Sequence, residues 1–500
     1  MSGTLPSVVA VALVALATLA IGTWGLRFSR TTSDFFVASR TVRPALNASA
    51  IGGEYLSGAS YLGVAALVFA FGADMLWYPV GWTAGYLVLL VLVAAPLRRS
   101  GAYTLPDFAE ARLASRRVRT ACSLLVVAIG WLYLLPQFQG AGLTMEAAIG
   151  APPWSGSLVV AVVVLANVLS GGMRSITFVQ AFQYWLKLTA LLVPAIVLVS
   201  IWVRDGSPHP ADAGDDAALW SLPLGAGGAE GLYLTYSLIV ATFLGTMGLP
   251  HVVVRFYTNP DGRAARRTTV VVLGLLGLFY LLPPVYAALG RVYGDAARAD
   301  VLVLELPRVM MPGLGGELLA ALLTAGAFAA FLSTSSGLSI AVAGVISQGL
   351  VRRTGTGGVT AFRLASVVAV VVPAAMTFLA PHVGVARAVG LAFAVAASTF
   401  CPLLLLGIWW RRLTEPGALA GLAVGFLGSG AGVTYVLVTD ETGGWIAALL
   451  GQPAAWSVPL AFLTMTGVSL ATRDRVPLHV RRFMVRLHTP EVVTLDRGPE

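Results

Sequence analysis

Two charged side chains stand well inside apolar runs of this 500-residue chain: Glu54 and Lys187, the latter its only lysine. An ionisable group at membrane depth costs at least a few kcal/mol, so it marks a candidate site and calls for a partner. Two arrangements are open. The pair could contact directly and stabilise one state of a cycle. Alternatively, Lys187 snorkels to an interface, while Glu54, just after Gly52 and Gly53, caps a new half-helix whose first turn favours a carboxylate.

A second set is the stretch Ala329-Ala-Phe-Leu-Ser-Thr-Ser-Ser-Gly337. On a helix Ala330 lies three residues before Ser333 and four before Thr334, so its carbonyl sits beside both hydroxyls. Three hard oxygens suit a small cation such as sodium. The bland alternative is a pair of hydroxyls bonding back to their own helix. A complete ion shell needs further oxygens, which an unwound segment could supply as carbonyls. Residues 48–60 offer one, because Gly52, Gly53, Glu54, Ser57 and Gly58 interrupt an apolar run long enough to span a bilayer. A second interruption, Thr242-Phe-Leu-Gly-Thr-Met-Gly-Leu-Pro-His251, falls five spans later. Interruptions at matching places in two halves are the best sequence pointer to a transporter binding site. The other reading of the second is a helix ended by Pro250. His251 is expected at the cytoplasmic mouth. Gln137 and Gln139 either face a central cavity or bond a neighbouring helix.

These residues must be positioned by membrane helices. The chain is 57% hydrophobic and only 11% charged, against about 25% charged in soluble domains. Thirteen apolar runs lie near 6–26, 45–71, 75–97, 119–148, 155–171, 178–203, 231–254, 268–290, 317–349, 360–380, 385–410, 416–437 and 444–471. Of 32 basic residues, 26 fall in loops after odd-numbered runs and in the tail, and 5 after even-numbered runs; Lys187 is the last. One miscounted span would erase that split. Positive-inside logic puts the N-terminus outside and the C-terminus in the cytoplasm. The net charge of +9 is therefore topological and implies no nucleic acid. Trp409 and Trp410, beside Arg411 and Arg412, suit interface anchors. The acidic loop 204–230 reads as solvated, and the mixed-charge loop 291–308 as an amphipathic cap. Gly355–Gly358 is a turn without a phosphate-binding lysine. Cys122 and Cys401 sit in or beside apolar runs and need no partner. No acid/base set, metal cluster or cofactor motif converges, so neither an enzyme nor a resident cofactor is expected.

The motifs together resemble the sodium:solute symporter family, particularly its acetate and monocarboxylate permease branch. They are Asp34-Phe-Phe-Val-Ala-Ser-Arg40, Leu56-Ser-Gly58, Gly171-Gly-Met-Arg-Ser-Ile-Thr-Phe-Val-Gln180, Gly245-Thr-Met-Gly-Leu-Pro-His251 with Arg255-Phe-Tyr-Thr-Asn-Pro-Asp261, Phe331-Leu-Ser-Thr-Ser-Ser-Gly337 and Trp409-Trp-Arg-Arg-Leu-Thr-Glu-Pro-Gly-Ala418. The resemblance implies an all-α polytopic membrane protein of about thirteen helices with a leucine-transporter-like 5+5 inverted repeat. Its divisions would be a peripheral helix and loop (1–44), the first repeat (45–203), an outer loop (204–230), the second repeat (231–410), two peripheral helices (411–472) and a cytoplasmic tail (473–500). It also implies a sodium site at Gly53, Leu56, Ala330, Ser333 and Thr334. The branch commonly has Asp where this chain has Glu54, and some members carry Lys where this chain has Gln183, one turn before Lys187.

The resulting expectation is a plasma-membrane transporter that couples inward sodium movement to uptake of a short monocarboxylate such as acetate, propionate or pyruvate. The substrate carboxylate would meet exposed half-helix N–H groups near Ser57, Gln137 and Thr246. Another solute (proline, a sugar, pantothenate) or a coupled proton is the rival within transport. A transporter-like sensor ranks below it, since only about 28 residues follow the last run, and no obligatory protein partner is evident.

Overall fold

The computed structural model describes residues 5–25, 27, 38, 41–210, 220, 228–294, 296–354, 358–379, 384–439, 443–491 and 493, and every element among them is helical. Asp212, Asp215 and Asp216 of the acidic loop, residues 34–37 of the first inner motif and the Gly355 turn lie outside them.

Helix α1 is Leu5–Gly25. The first interrupted run forms α2 (Pro44–Tyr55) and α3 (Ala59–Phe71), bent by 70°. There follow α4 (Ala73–Arg99), the short α5 (Leu105–Leu113), α6 (Arg116–Ile149) and α7 (Pro153–Arg204). The second interrupted run forms α8 (Gly228–Gly248) and α9 (Pro250–Phe256). Then come α10 (Gly262–Tyr280), α11 (Pro283–Tyr293), α12 (Leu302–Met310) and α13 (Leu314–Thr354). The chain continues through α14 (Gly358–Met376), α15 (Val385–Trp409), α16 (Glu415–Val438), α17 (Ala454–Ala471) and α18 (Val480–His488).

Among the described residues, eleven helices are long and apolar enough to cross a bilayer, and the bent pair α2–α3 adds a twelfth. At 1.5 Å per residue, α7 would run about 78 Å, more than twice a hydrocarbon core of about 30 Å. Gly172, at φ 57° and ψ −157°, turns the chain sharply within it. That left-handed φ suits glycine, and α7 supplies two spans, which brings the total to the thirteen expected.

Burial separates centre from periphery. The most apolar windows of α13 and α15 are 83% and 89% buried, whereas those of α1, α16 and α17 are 28–33% buried. Helix α13 packs on both α7 and α6, α8 lies on α15 and α4, and α2 lies on α7 and α10. The loop expected as an amphipathic cap contains α12, which buries Leu302, Val303, Leu304 and Leu306. Arg112 of α5 donates to the carbonyls of Gly407 (2.9 Å), Trp410 (2.9 Å) and Arg411 (3.3 Å). It thus satisfies orphan carbonyls at the end of α15, and burial lowers its pKa to about 10. Helix α18 buries Val480, Phe483, Met484 and Leu487.

Candidate functional site

The first break is displaced from where the glycines suggest. Helix α2 runs unbroken through Gly52, Gly53 and Glu54 to Tyr55, and the opening is at Leu56–Gly58. Glu54 therefore ends one half-helix and does not begin the next. Gly53 has another reason to lack a side chain: a Cβ there would lie 2.0 Å from the Gln180 carbonyl oxygen. The glycine lets the second arm of α7 approach α2 backbone to backbone.

That approach delivers Lys187. Its Nζ donates to Gly53 O at 2.5 Å, Leu56 O at 2.6 Å and Ser333 Oγ at 3.0 Å. Lys187 is fully buried, so it does not snorkel. The two carbonyls belong to the C-terminal end of α2, the negative end of its dipole, which attracts a cation. Ser333 Oγ in turn donates to Ala330 O at 3.0 Å, and Thr334 Oγ1 donates to Glu54 O at 2.6 Å. The five oxygen positions singled out for sodium thus do gather around the break. An ammonium already stands among three of them. As arranged here, they do not fit a bound sodium ion.

The direct Glu54–Lys187 pair is not formed. Glu54 Oε2 accepts from Arg255 Nε at 2.6 Å, with both side chains buried. Arg255 also donates to Thr177 Oγ1 at 3.0 Å and to Gln180 Oε1. Gln180 Nε2 donates to Ser333 O at 2.8 Å. Arg255 lies on α9, just past the second break. The network therefore ties α2 to α7, α13 and α9. Sequence reasoning counted Arg255 among the topological loop arginines and missed Gln180. The available signal was three valines, Val252–Val254, between His251 and Arg255, too apolar for a loop.

The three residues assigned to substrate do not share one role. Gln137 Oε1 accepts from Gly58 N at 3.2 Å, so this N–H at the start of the second half-helix is taken and is not exposed for a carboxylate. Thr246 Oγ1 donates to Thr242 O and lies 2.8 Å from Tyr55 Oη. Ser57 Oγ is buried beside the Tyr133 side chain and makes no hydrogen bond of standard geometry. His251 is fully buried rather than at a mouth, with its ring 5.4 Å from that of Tyr133. Phe393 of α15 lies within about 6 Å of the Tyr55, Trp82 and Tyr133 rings, centroid to centroid. Beside these aromatics, Ser57 Oγ, Trp82 Nε1, Tyr86 Oη, Gln137 Nε2 and both His251 nitrogens are buried without hydrogen-bond partners.

The model of the sodium:solute symporter family matches residues 35–425, well over half the chain. The chain belongs to that family. An uncharacterized symporter of Bacillus subtilis (strain 168), YwcA, is 32% identical over 472 residues, 89% of this chain and 90% of that protein. Among solved structures, a Na+-coupled sialic acid symporter in a substrate-bound outward-open state matches with a TM-score of 0.68 at 13% identity. It covers 92% of this chain and 98% of its own. MhsT in complex with L-phenylalanine matches at a TM-score of 0.55 and 16% identity, covering 85% and 98%. MHP1, a nucleobase-cation-symport-1 family transporter, matches at 0.52 and 13%, covering 90% and 98%. At these identities the structures establish the fold. This family member is an all-α, leucine-transporter-like multi-pass membrane protein.

Proposed function

We propose that the protein is a secondary active symporter that carries a short monocarboxylate, such as acetate, propionate or pyruvate, into the cell by alternating access. A cation gradient drives it, and the arginine-rich side is cytoplasmic. Family membership supports sodium as the cation moved with the solute. The observation that carries the solute reading is the unpartnered polar set beside the first break. Ser57, Trp82, Tyr86, Gln137 and His251 can all donate to an anion, and Tyr55, Tyr133 and Phe393 wall them with aromatic surface. Buried donors without partners are costly, so a ligand that accepts from them binds well. A carboxylate with a short apolar tail matches such donors and such walls. Each nitrogen of Arg255 already donates to Glu54 or α7, so the anion would be held by neutral donors.

Differential affinity is all that shifts a conformational equilibrium, and the linkage between cation and solute binding is reciprocal. Radiolabelled acetate uptake into proteoliposomes, competed by a panel of acids across a grid of sodium concentration and pH, tests the reading. Short monocarboxylates should compete, and proline, sugars and pantothenate should not. Competition by one of the latter with no effect of propionate or pyruvate would overturn it.

A further inference from the structure

We infer that Lys187 is a tethered cation that takes the place of a free sodium ion at the first break. The inference rests on the reading of the chain as a cation-coupled symporter, but not on the identity of its solute.

Hydrogen-bond counting supports a charged Lys187. Gly53 O and Leu56 O can only accept, so Lys187 Nζ donates to both. The single proton of Ser333 Oγ is directed to Ala330 O, so that hydroxyl accepts from Nζ as well. Three donated bonds require three N–H groups, which only the ammonium has.

Position fixes the role. The ammonium bridges the C-terminal carbonyls of α2 to α13 across the opening at Leu56–Gly58. A small cation in that gap would use the same oxygens and do the same mechanical work. Thr334, the fifth candidate, instead gives its proton to Glu54 O. Two cations are not held side by side here, because the ammonium occupies the gap and like charges a few ångströms apart repel. Sodium enters this gap only when Lys187 leaves it. The break is therefore held in its bent form without added sodium, and any sodium this transporter moves binds elsewhere while Lys187 is seated.

The test uses the purified full-length chain with no solute, so its outcome is independent of the acetate reading. Thermal unfolding is followed in sodium chloride and in choline chloride at equal ionic strength. Anything that binds the folded state alone raises Tm. In the wild type, whatever sodium does to Tm should be unchanged by Ser333→Ala/Thr334→Ala, because sodium does not use these oxygens while Lys187 is seated. Lys187→Ala, which vacates the oxygens, should melt several degrees higher in sodium than in choline and should bind 22Na+. A folded Lys187→Ala protein indifferent to sodium would overturn the inference. Should that variant not fold, the wild type decides alone. A saturable, sodium-specific rise in its Tm that Ser333→Ala/Thr334→Ala abolishes would overturn the inference; equal melting in the two salts, or a rise that the double variant keeps, supports it.

Discussion

The two interrupted helices occupy corresponding places in the two halves of the fold, yet they are used differently. At the first break the chain bends by 70°, and two of its carbonyls are free to meet a charge. At the second, Leu249 is extended between Gly248 and Pro250, and the helix lies tight on α15. A Cβ on Gly245 or Gly248 would meet the Phe393 or Ala396 carbonyl at 2.4 or 2.3 Å. The first break holds a cation; the second delivers Arg255, near the end of α9, to a carboxylate at the end of α2. A structural repeat thus sets where the backbone opens, while the side chains that fill each opening set what it does.

The strongest way to break this comparison is at Arg255. Arg255→Met leaves Glu54 buried and unpaired, and losing one partner of a buried ion pair costs about 3–5 kcal/mol. The double variant Glu54→Gln/Arg255→Met should recover most of that in thermal unfolding, as a double-mutant cycle would read. Lys187→Ala in choline should cost less, about 1–3 kcal/mol, since it strands neutral carbonyls rather than a charge. A larger loss at Lys187 than at Arg255 would reverse the assignment of the two openings.

Backbone contact is the next test. Gly53→Ala should cost about 1–3 kcal/mol by overpacking, because the Gln180 carbonyl it meets cannot rotate away. Gly248→Ala should cost a similar amount against α15. Only Gly53→Ala should also change the response to sodium of a Lys187→Ala background, since only that contact seats the arm carrying Lys187. Equal sodium responses with and without Gly53→Ala would remove the link between the glycine and the cation position.

How much of this was legible in the sequence follows from what a helix repeat encodes. The 3.6-residue period put Ala330, Ser333 and Thr334 on one face, and the polar interruptions located both breaks, because these depend on residues near one another in the chain. The partner of Glu54 depends on which of two neighbouring helices presents a charge at the right height. Only Lys187 stood inside a run and Arg255 was counted with a loop, yet α9 packs on α2 and brings Arg255 to Glu54. The glycines at 52 and 53 looked like a break because glycine weakens helices. Here Gly53 serves close packing, and the break falls three residues later, where Leu56 N still bonds to Gly52 O.

The smallest expected effects separate the two broken helices at the solute. Ser57 Oγ, in the first break, makes no hydrogen bond of standard geometry and has only the Tyr133 side chain beside it, so Ser57→Ala should leave Tm within about 1 °C while weakening acetate binding severalfold; one lost neutral hydrogen bond is worth about 0.5–1.5 kcal/mol. Thr246, on α8, already bonds Thr242 O and lies against Tyr55 Oη. Thr246→Val should therefore lower Tm and disturb binding only through Tyr55, so that Tyr55→Phe reproduces most of its effect and the two are not additive. If Thr246→Val weakens acetate binding at unchanged Tm and adds in full to Tyr55→Phe, then α8 touches the solute directly and the two breaks are more alike than their geometry suggests.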